Sequence, residues 1–173
     1  MNIYLVRHAK ALPVDGERIT ADEDRPLSEL GLHQVALLAR GFQRLGVPLD
    51  TVLTSPLVRA RQTAEELVRR LGRTDLEVRE CDPLAPGGLA KKLMKFIRTL
   101  GSEHAVLVGH QPDLGEHAAY LIGSKKARVA FAKGGAACIA CDRPPRKGAG
   151  TLLWLITPEW LNTETPAAAP PSG

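Results

Sequence analysis

The sequence predicts an α/β fold in three layers, an α/β/α sandwich with helices on both faces of a mostly parallel central sheet. Short apolar runs of strand length alternate with longer segments whose apolar residues recur every three or four positions. This alternation is typical of parallel sheets covered by helices. The length of 173 residues suits one domain. We expect that domain to span residues 1–161, and the Pro- and Ala-rich residues 162–173 to form a disordered tail.

Six apolar runs are the strand candidates. They lie at 2–7, 50–54, 76–79, 105–109, 136–141 and 151–157. No helical pattern separates the last two runs, which favours an antiparallel pair at an edge of the sheet. Cys138 and Cys141 form a C-x-x-C pattern in the fifth run, but strand residues three apart point to opposite faces. We therefore expect neither a zinc site nor a redox role for them.

Four segments have helical periodicity. They lie at 28–45, 56–71, 89–100 and 112–122. The first stops at Gly46, a residue common after helix ends. The second is expected to begin with Ser55 as N-cap and Pro56 as the first helical residue.

Composition limits the partners and the location. No apolar stretch approaches the ~20 residues that cross a bilayer, and no signal peptide is evident, so we expect a cytoplasmic protein without a membrane partner. Aromatic residues are only 4% of the chain, which argues against nucleic acid as a partner. The net charge of +4 fits a phosphorylated or acidic partner better. Basic groups at 91–98 and 125–128 are interpreted as a solvated helix face and a solvated loop.

Polar residues follow three of the predicted strands. Arg7 and His8 end the first run, His110 follows the fourth, and Arg59 lies in the first turn of the helix after the second. The carboxyl ends of parallel strands meet at one edge of a sheet, so these side chains should converge there. Arginine binds phosphate oxygens bidentately, and a neutral imidazole can attack phosphorus. The pattern predicts a phosphoryl site in which His8 attacks, Arg7 and Arg59 hold the phosphate, and His110 binds its oxygens.

The segment 11–26 is long for a connection between a strand and a helix, and it is rich in acidic residues. Such a segment is either a functional loop over the site or a mobile surface excursion.

Four motifs, in order and spacing, resemble those of a known family. They are LVRHAKA at 5–11, RPLSELG at 25–31, TSPLVRARQTA at 54–64 and VGHQPDLG at 108–115. Together they resemble the histidine phosphatase superfamily, which has the phosphoglycerate mutase-like fold, and within it the SixA-type phosphohistidine phosphatases. The similarity extends from residue 1 to about 161.

The resemblance implies a role for each matching residue. His8 is implied as the phosphorylated nucleophile, Arg7 and Arg59 as phosphate ligands, His110 as the second pocket histidine, and Arg25 as an additional substrate-side arginine. The implied activity is hydrolysis of phosphohistidine on a protein substrate through a phospho-His8 intermediate. Neither a metal nor a cofactor is implied.

The general acid is the one part without a matching motif. Larger members of the superfamily protonate an alcohol leaving group with a carboxylic acid, and here only Glu80 and Asp82 fall in the corresponding region. An imidazole leaves more readily than an alkoxide without a proton, so the gap favours phosphohistidine over a sugar phosphate. Three alternatives stay open: a small-molecule phosphomonoesterase that uses one of these acids, a mutase, and a non-catalytic module that binds phosphate or phosphopeptides. The oligomeric state is also open.

Overall fold

The structure, a computed structural model, describes residues 1–161. The expected disordered tail at 162–173 lies outside the described residues. The strands are β1 (Asn2–Arg7), β2 (Thr51–Thr54), β3 (Val78–Glu80), β4 (His104–Gly109), β5 (Ala136–Cys141) and β6 (Gly150–Ile156). The helices are α1 (Glu29–Arg44), α2 (Val58–Arg70), α3 (Ala90–Ile97), α4 (Asp113–Leu121) and α5 (Pro158–Leu161), with a 3₁₀ turn at Asp82–Leu84.

The strands form one six-stranded sheet in the order β3-β2-β4-β1-β5-β6. The pairs β2–β3, β2–β4 and β1–β4 are parallel, whereas β5 is antiparallel to both β1 and β6. The predicted mixed α/β fold is confirmed, and so is the antiparallel pair at the edge. In the register, Arg7 is opposite Gly109, and Thr54 is opposite Val108. The carboxyl ends of β1, β4 and β2 therefore lie side by side.

Each face of the sheet has its own hydrophobic core. Alternate residues of β1 point to opposite faces: Tyr4 and Val6 pack with α1 and α2, and Ile3 and Leu5 pack with α3 and α4. This arrangement is the predicted three-layer sandwich. None of the helices within residues 1–161 combines the length and the hydrophobicity that a membrane crossing requires.

The two cysteines of the C-x-x-C pattern lie on opposite faces of β5, as the strand period requires. Cys138 belongs to the core under α1 and α2, and Cys141 to the core under α3 and α4. Burial raises the pKa of each thiol to about 11, which keeps both protonated at neutral pH.

The start of α2 differs from the prediction. The helix begins at Val58 with Leu57 as N-cap, and no side chain caps it. The expectation of Ser55 as N-cap and Pro56 as first helical residue was wrong, because both residues precede the helix, where the Ser55 hydroxyl accepts from the Leu57 amide and is hydrogen-bonded to His110. By contrast, Ser28 caps α1 as its position predicts, and its hydroxyl accepts a hydrogen bond from the Gly31 amide.

Candidate active site

The candidate site lies at the carboxyl ends of three adjacent parallel strands. The backbone amide of His8 donates to the carbonyl of Gly109 over 3.0 Å, and the amide of Ser55 donates to the carbonyl of Val108 over 2.9 Å. These bonds extend the sheet by one residue on β1 and on β2. They bring His8, Ser55 and His110 to one edge of the sheet.

His8 and His110 face each other in a buried position. Their ring centroids are 5.0 Å apart with an angle of 52° between the planes, and the residues are only 7% and 4% exposed. His8 Nδ1 lies 2.8 Å from the carbonyl oxygen of Ala9. A carbonyl only accepts, so this contact places the ring hydrogen on Nδ1 and leaves the lone pair on Nε2. His8 therefore presents Nε2 in the nucleophilic form.

Both rings are neutral at pH 7. Burial, reinforced by the positive charges of the site, lowers the pKa of His8 to about 3. Burial and the charge of Arg59 lower the pKa of His110 to about 4, although the charges of Asp113 and Asp22 act in the opposite direction. A neutral imidazole can attack phosphorus, whereas an imidazolium cannot.

The ring of His110 is hydrogen-bonded to Ser55. Its Nε2 lies 2.8 Å from Ser55 Oγ, and that oxygen already accepts a hydrogen bond from the Leu57 amide. A serine hydroxyl can donate one hydrogen bond while it accepts another, so Ser55 can donate to Nε2, and the hydrogen of His110 is then on Nδ1. That buried Nδ1 has no partner within residues 1–161. A phosphoryl oxygen would satisfy such a donor.

Two arginines lie beside the histidines. Arg7 Nη1 donates to the carbonyl of Phe131 over 2.6 Å, and Arg7 Nε is buried without a partner in the described part of the chain. Arg59 is only 6% exposed and lies in the first turn of α2. Thr63 fixes this helix to the nucleophile loop, since its hydroxyl accepts from the Ala9 amide and donates to the Arg59 carbonyl.

The segment 11–26 contacts one of these arginines, Arg59, through Asp22. Asp22 accepts hydrogen bonds from both Arg59 Nη groups, at 2.6 Å to its carbonyl and 2.9 Å to its carboxylate. The same carboxylate pairs with Arg25 over 2.8 Å, and Arg25 Nε also donates to the Leu12 carbonyl. The hydrogen bonds of Arg25 hold the pKa of Asp22 below its usual value, so Asp22 stays ionised. Arg25 thus shares one carboxylate with Arg59.

The two carboxylates considered as general acids belong to β3 and to the 3₁₀ turn that follows it. Glu80 ends β3, the edge strand, and its half-exposed carboxylate pairs with Arg61 over 3.4 Å. Asp82 begins the following 3₁₀ turn. Neither makes a hydrogen bond or an ion pair with His8 or His110 in the described part of the chain.

The sequence prediction missed Lys133. This half-buried residue lies in the loop before β5, and the amide of its neighbour Gly134 donates to the carbonyls of both Arg7 and His8. Burial lowers the pKa of Lys133, and the positive charges of Arg7, Arg25, Arg59 and Lys10 add to the effect. Within residues 1–161 its ammonium group has no ion-pair partner. No motif marks Lys133, because its position depends on a loop that returns from another part of the chain.

The site is strongly positive. It brings together the cations Arg7, Arg25, Arg59 and Lys133, two of which, Arg25 and Arg59, pair with Asp22. Such an arrangement binds a multiply charged anion such as a phosphoryl group, and His8 Nε2 supplies a nucleophile beside it. No group of three or more His, Cys, Asp or Glu residues within residues 1–161 could hold a metal ion. Such a site is suited to phosphoryl chemistry.

Comparison with known proteins identifies the family. The model of the histidine phosphatase superfamily, branch 1, matches residues 3–85. An uncharacterized protein from Picosynechococcus is 34% identical over 170 residues, which cover 93% of this chain and 99% of the relative. The chain belongs to the histidine phosphatase superfamily.

Within that superfamily the chain is similar to SixA. The Escherichia coli phosphohistidine phosphatase SixA is 26% identical over 91% of this chain and 94% of its own length. The solved structure of the protein histidine phosphatase SixA with tungstate superposes with a TM-score of 0.82 at 26% identity, over 93% of this chain and 99% of that one. The similarity to SixA-type proteins, the phosphoglycerate mutase-like fold and the phosphatase class are therefore confirmed.

Proposed function

We propose that the protein hydrolyses phosphohistidine on a protein substrate through a covalent phosphohistidine intermediate at His8. The observation that carries the proposal is the neutral, buried His8 with Nε2 available as nucleophile, next to His110 and within the field of Arg7 and Arg59. The similar protein SixA of E. coli is a phosphohistidine phosphatase by name, and this supports phosphohistidine as the substrate.

In the first step, His8 Nε2 forms a bond to the phosphorus atom while the P–N bond of the substrate breaks. The electron pair of that bond stays on the leaving imidazole, which takes a proton from solvent. Arg7 and Arg59 neutralise the charge on the phosphoryl oxygens, and His110 Nδ1–H donates to one of them. In the second step, water attacks phospho-His8, releases inorganic phosphate and restores the lone pair on Nε2.

The carboxylates of the site support phosphohistidine over a phosphoester. Asp22 is ionised and held by two arginines, so it has no proton to give. Glu80 pairs with Arg61 at the edge strand. An alkoxide leaving group would need a general acid of the protein, whereas the imidazole of phosphohistidine leaves as a neutral ring once its second nitrogen has taken a proton from solvent.

The test compares two classes of substrate. A histidine-phosphorylated carrier protein and a panel of small phosphoesters are incubated with the wild type, with His8→Ala and with His33→Ala, a control at an exposed position of α1. We expect phosphohistidine hydrolysis to fall by roughly three orders of magnitude in His8→Ala and to stay unchanged in the control. We also expect an acid-labile phosphoryl label on wild-type His8.

Two results would contradict the proposal. Turnover of a phosphoester that collapses in Glu80→Gln or Asp82→Asn, with phosphohistidine untouched, would identify a small-molecule phosphomonoesterase. Phosphate binding without any turnover would identify a non-catalytic module.

A further inference from the structure

A large groove lies beside the candidate site and contains none of its histidines. Its volume is about 610 Å³, and it runs along α4 between that helix and the segment 124–130. Its apolar lining includes Pro112, Ala119, Tyr120 and Val129. Pockets of roughly 300–1,000 Å³ hold drug-sized ligands, so the groove has room for several side chains of a peptide.

The groove and the site share one wall. Gln111, the residue after His110, donates from Nε2 to the Val129 carbonyl over 3.1 Å and accepts from the Phe131 amide. The carbonyl of Phe131 in turn accepts from Arg7 Nη1 over 2.6 Å. The segment that lines the groove at Val129 continues to Phe131, and the Phe131 carbonyl is hydrogen-bonded to Arg7, a proposed phosphate ligand.

Gly115 allows this wall to lie against α4. A Cβ atom on Gly115 would lie 2.3 Å from the Val129 carbonyl oxygen, which no side chain could tolerate without a backbone shift. Gly115, the last residue of the VGHQPDLG motif, therefore allows α4 to approach the backbone at Val129 closely.

The rim of the groove is positively charged. It carries three exposed cations, Lys125, Arg128 and Lys147, against one carboxylate, that of Glu116. None of the three cations forms an ion pair within residues 1–161. Unpaired cations around an apolar floor are complementary to an acidic segment that also carries an apolar side chain.

We propose that this groove binds the polypeptide that flanks the phosphohistidine, and that this flanking segment is acidic with at least one apolar side chain. The inference rests on the proposed function, because a protein substrate must place the chain around its phosphohistidine on the surface next to His8. The basic group at 125–128 is then part of a binding surface and not only a solvated loop. The groove sets which proteins are substrates, and the site at His8 performs the chemistry.

The test uses two synthetic peptides that carry a non-hydrolysable phosphohistidine analogue and the same apolar residues. One has glutamates on both sides of the analogue, and the other has lysines. Affinities are measured by titration calorimetry for the wild type and for Lys125→Glu/Arg128→Glu. The control is Arg40→Glu/Arg44→Glu, the same change of charge at exposed positions of α1, which packs on the opposite face of the sheet from α4.

We expect the wild type to prefer the glutamate peptide, and the ratio of the two affinities to fall roughly tenfold or more in Lys125→Glu/Arg128→Glu. The ratio should stay at the wild-type value in the control variant. An unchanged ratio in the groove variant, or an equal loss in the control, would overturn the proposal.

Hydrolysis of free phosphohistidine by the wild type is measured alongside. Binding of the analogue peptides requires no chemistry, so failure of the groove proposal and failure of the proposed function are distinguishable. If the wild type leaves free phosphohistidine and the phosphorylated carrier intact, the proposed function fails whatever the peptides do.

Discussion

His8 owes its nucleophilic form to two local effects. The carbonyl of its own neighbour, Ala9, accepts from Nδ1 and leaves Nε2 with the lone pair, and burial lowers its pKa to about 3. No carboxylate is needed to orient the ring, because the backbone does so. The positive charges of Arg7 and Arg59 act in the same direction as burial, and they also attract the phosphoryl group.

At the residue scale, Lys133 is expected to contribute to anion binding. Lys133→Met removes a half-buried cation that has no carboxylate partner within residues 1–161. We expect the inhibition constant of orthovanadate to rise about three- to tenfold, because a nearby charge in a partly desolvated site contributes on the order of 1 kcal/mol. Lys133→Arg should retain most of the affinity. The control is Lys95→Met, at an exposed position of α3, and equal constants for all variants would contradict a role for Lys133.

Asp22 is expected to compete with the phosphoryl group for the arginines. Its carboxylate holds Arg59 and Arg25, so an incoming anion must share or replace it. In Asp22→Asn we expect orthovanadate to bind about two- to fivefold more tightly, since exposed ion pairs are worth about 0.2–1 kcal/mol. Asp24→Asn, at the exposed position two residues later, is the control. Weaker binding in Asp22→Asn would show instead that Asp22 positions the arginines.

At the element scale, the start of α1 holds the loop that follows His8. The Lys10 carbonyl accepts hydrogen bonds from the amide and the hydroxyl of Ser28, the N-cap of α1. Gly31, one turn into the helix, lies against the same carbonyl. The RPLSELG motif therefore has a structural role, because its Ser28 and Gly31 contact the backbone of the loop after His8.

Gly31→Ala is expected to destabilise the protein. The added Cβ would lie 2.1 Å from the Lys10 carbonyl oxygen, so the loop must shift. Overpacking costs about 1–3 kcal/mol, and the gain of Ala over Gly in a helix offsets only about 0.5–1 kcal/mol of it. Urea unfolding should show a lower free energy of unfolding together with reduced phosphatase activity. Leu30→Ala, at the exposed neighbouring position, is the control. A variant as stable and active as the wild type would show that the loop moves at no cost.

At the scale of the whole molecule, buried histidines make stability depend on pH. Burial lowers the pKa of His8 to about 3 and the pKa values of His110 and His117 to about 4. In the unfolded chain each would titrate near 6.5. Between pH 6.5 and pH 4 the unfolded chain thus binds more protons than the folded one, so the free energy of unfolding falls as the pH falls through this window.

His117 offers the cleanest test, because it lies on α4 away from the nucleophile and is only 1% exposed. The neutral ring of His117 should add at most about 3 kcal/mol to the free energy of unfolding at pH 7 relative to pH 4. We expect His117→Asn to lose less stability than the wild type between pH 7 and pH 4.5, as measured by urea unfolding at both values. His33→Asn, at an exposed position, should follow the wild type. Parallel curves for His117→Asn and the wild type would contradict the prediction.

The sequence by itself predicted the strands, the helices α1 to α4 and the edge of the sheet where the candidate site lies. Apolar periodicity is local, and it predicted β1 over its full length and β4 to within one residue. The rule that parallel strands present their carboxyl ends at one edge then placed Arg7, His8 and His110 together. This inference needed no side-chain geometry, because backbone hydrogen bonding determines where a strand ends.

Only the tertiary structure decided which loop residues join the site. The Ser55 hydroxyl bonds His110 instead of capping α2, Asp22 reaches Arg59 across 37 residues, and Lys133 arrives on the loop before β5. Glu80, in contrast, is kept apart because β3 is the edge strand. Such contacts join residues that are distant in sequence and lie in loops. Local periodicity carries no information about where a loop lies in the fold.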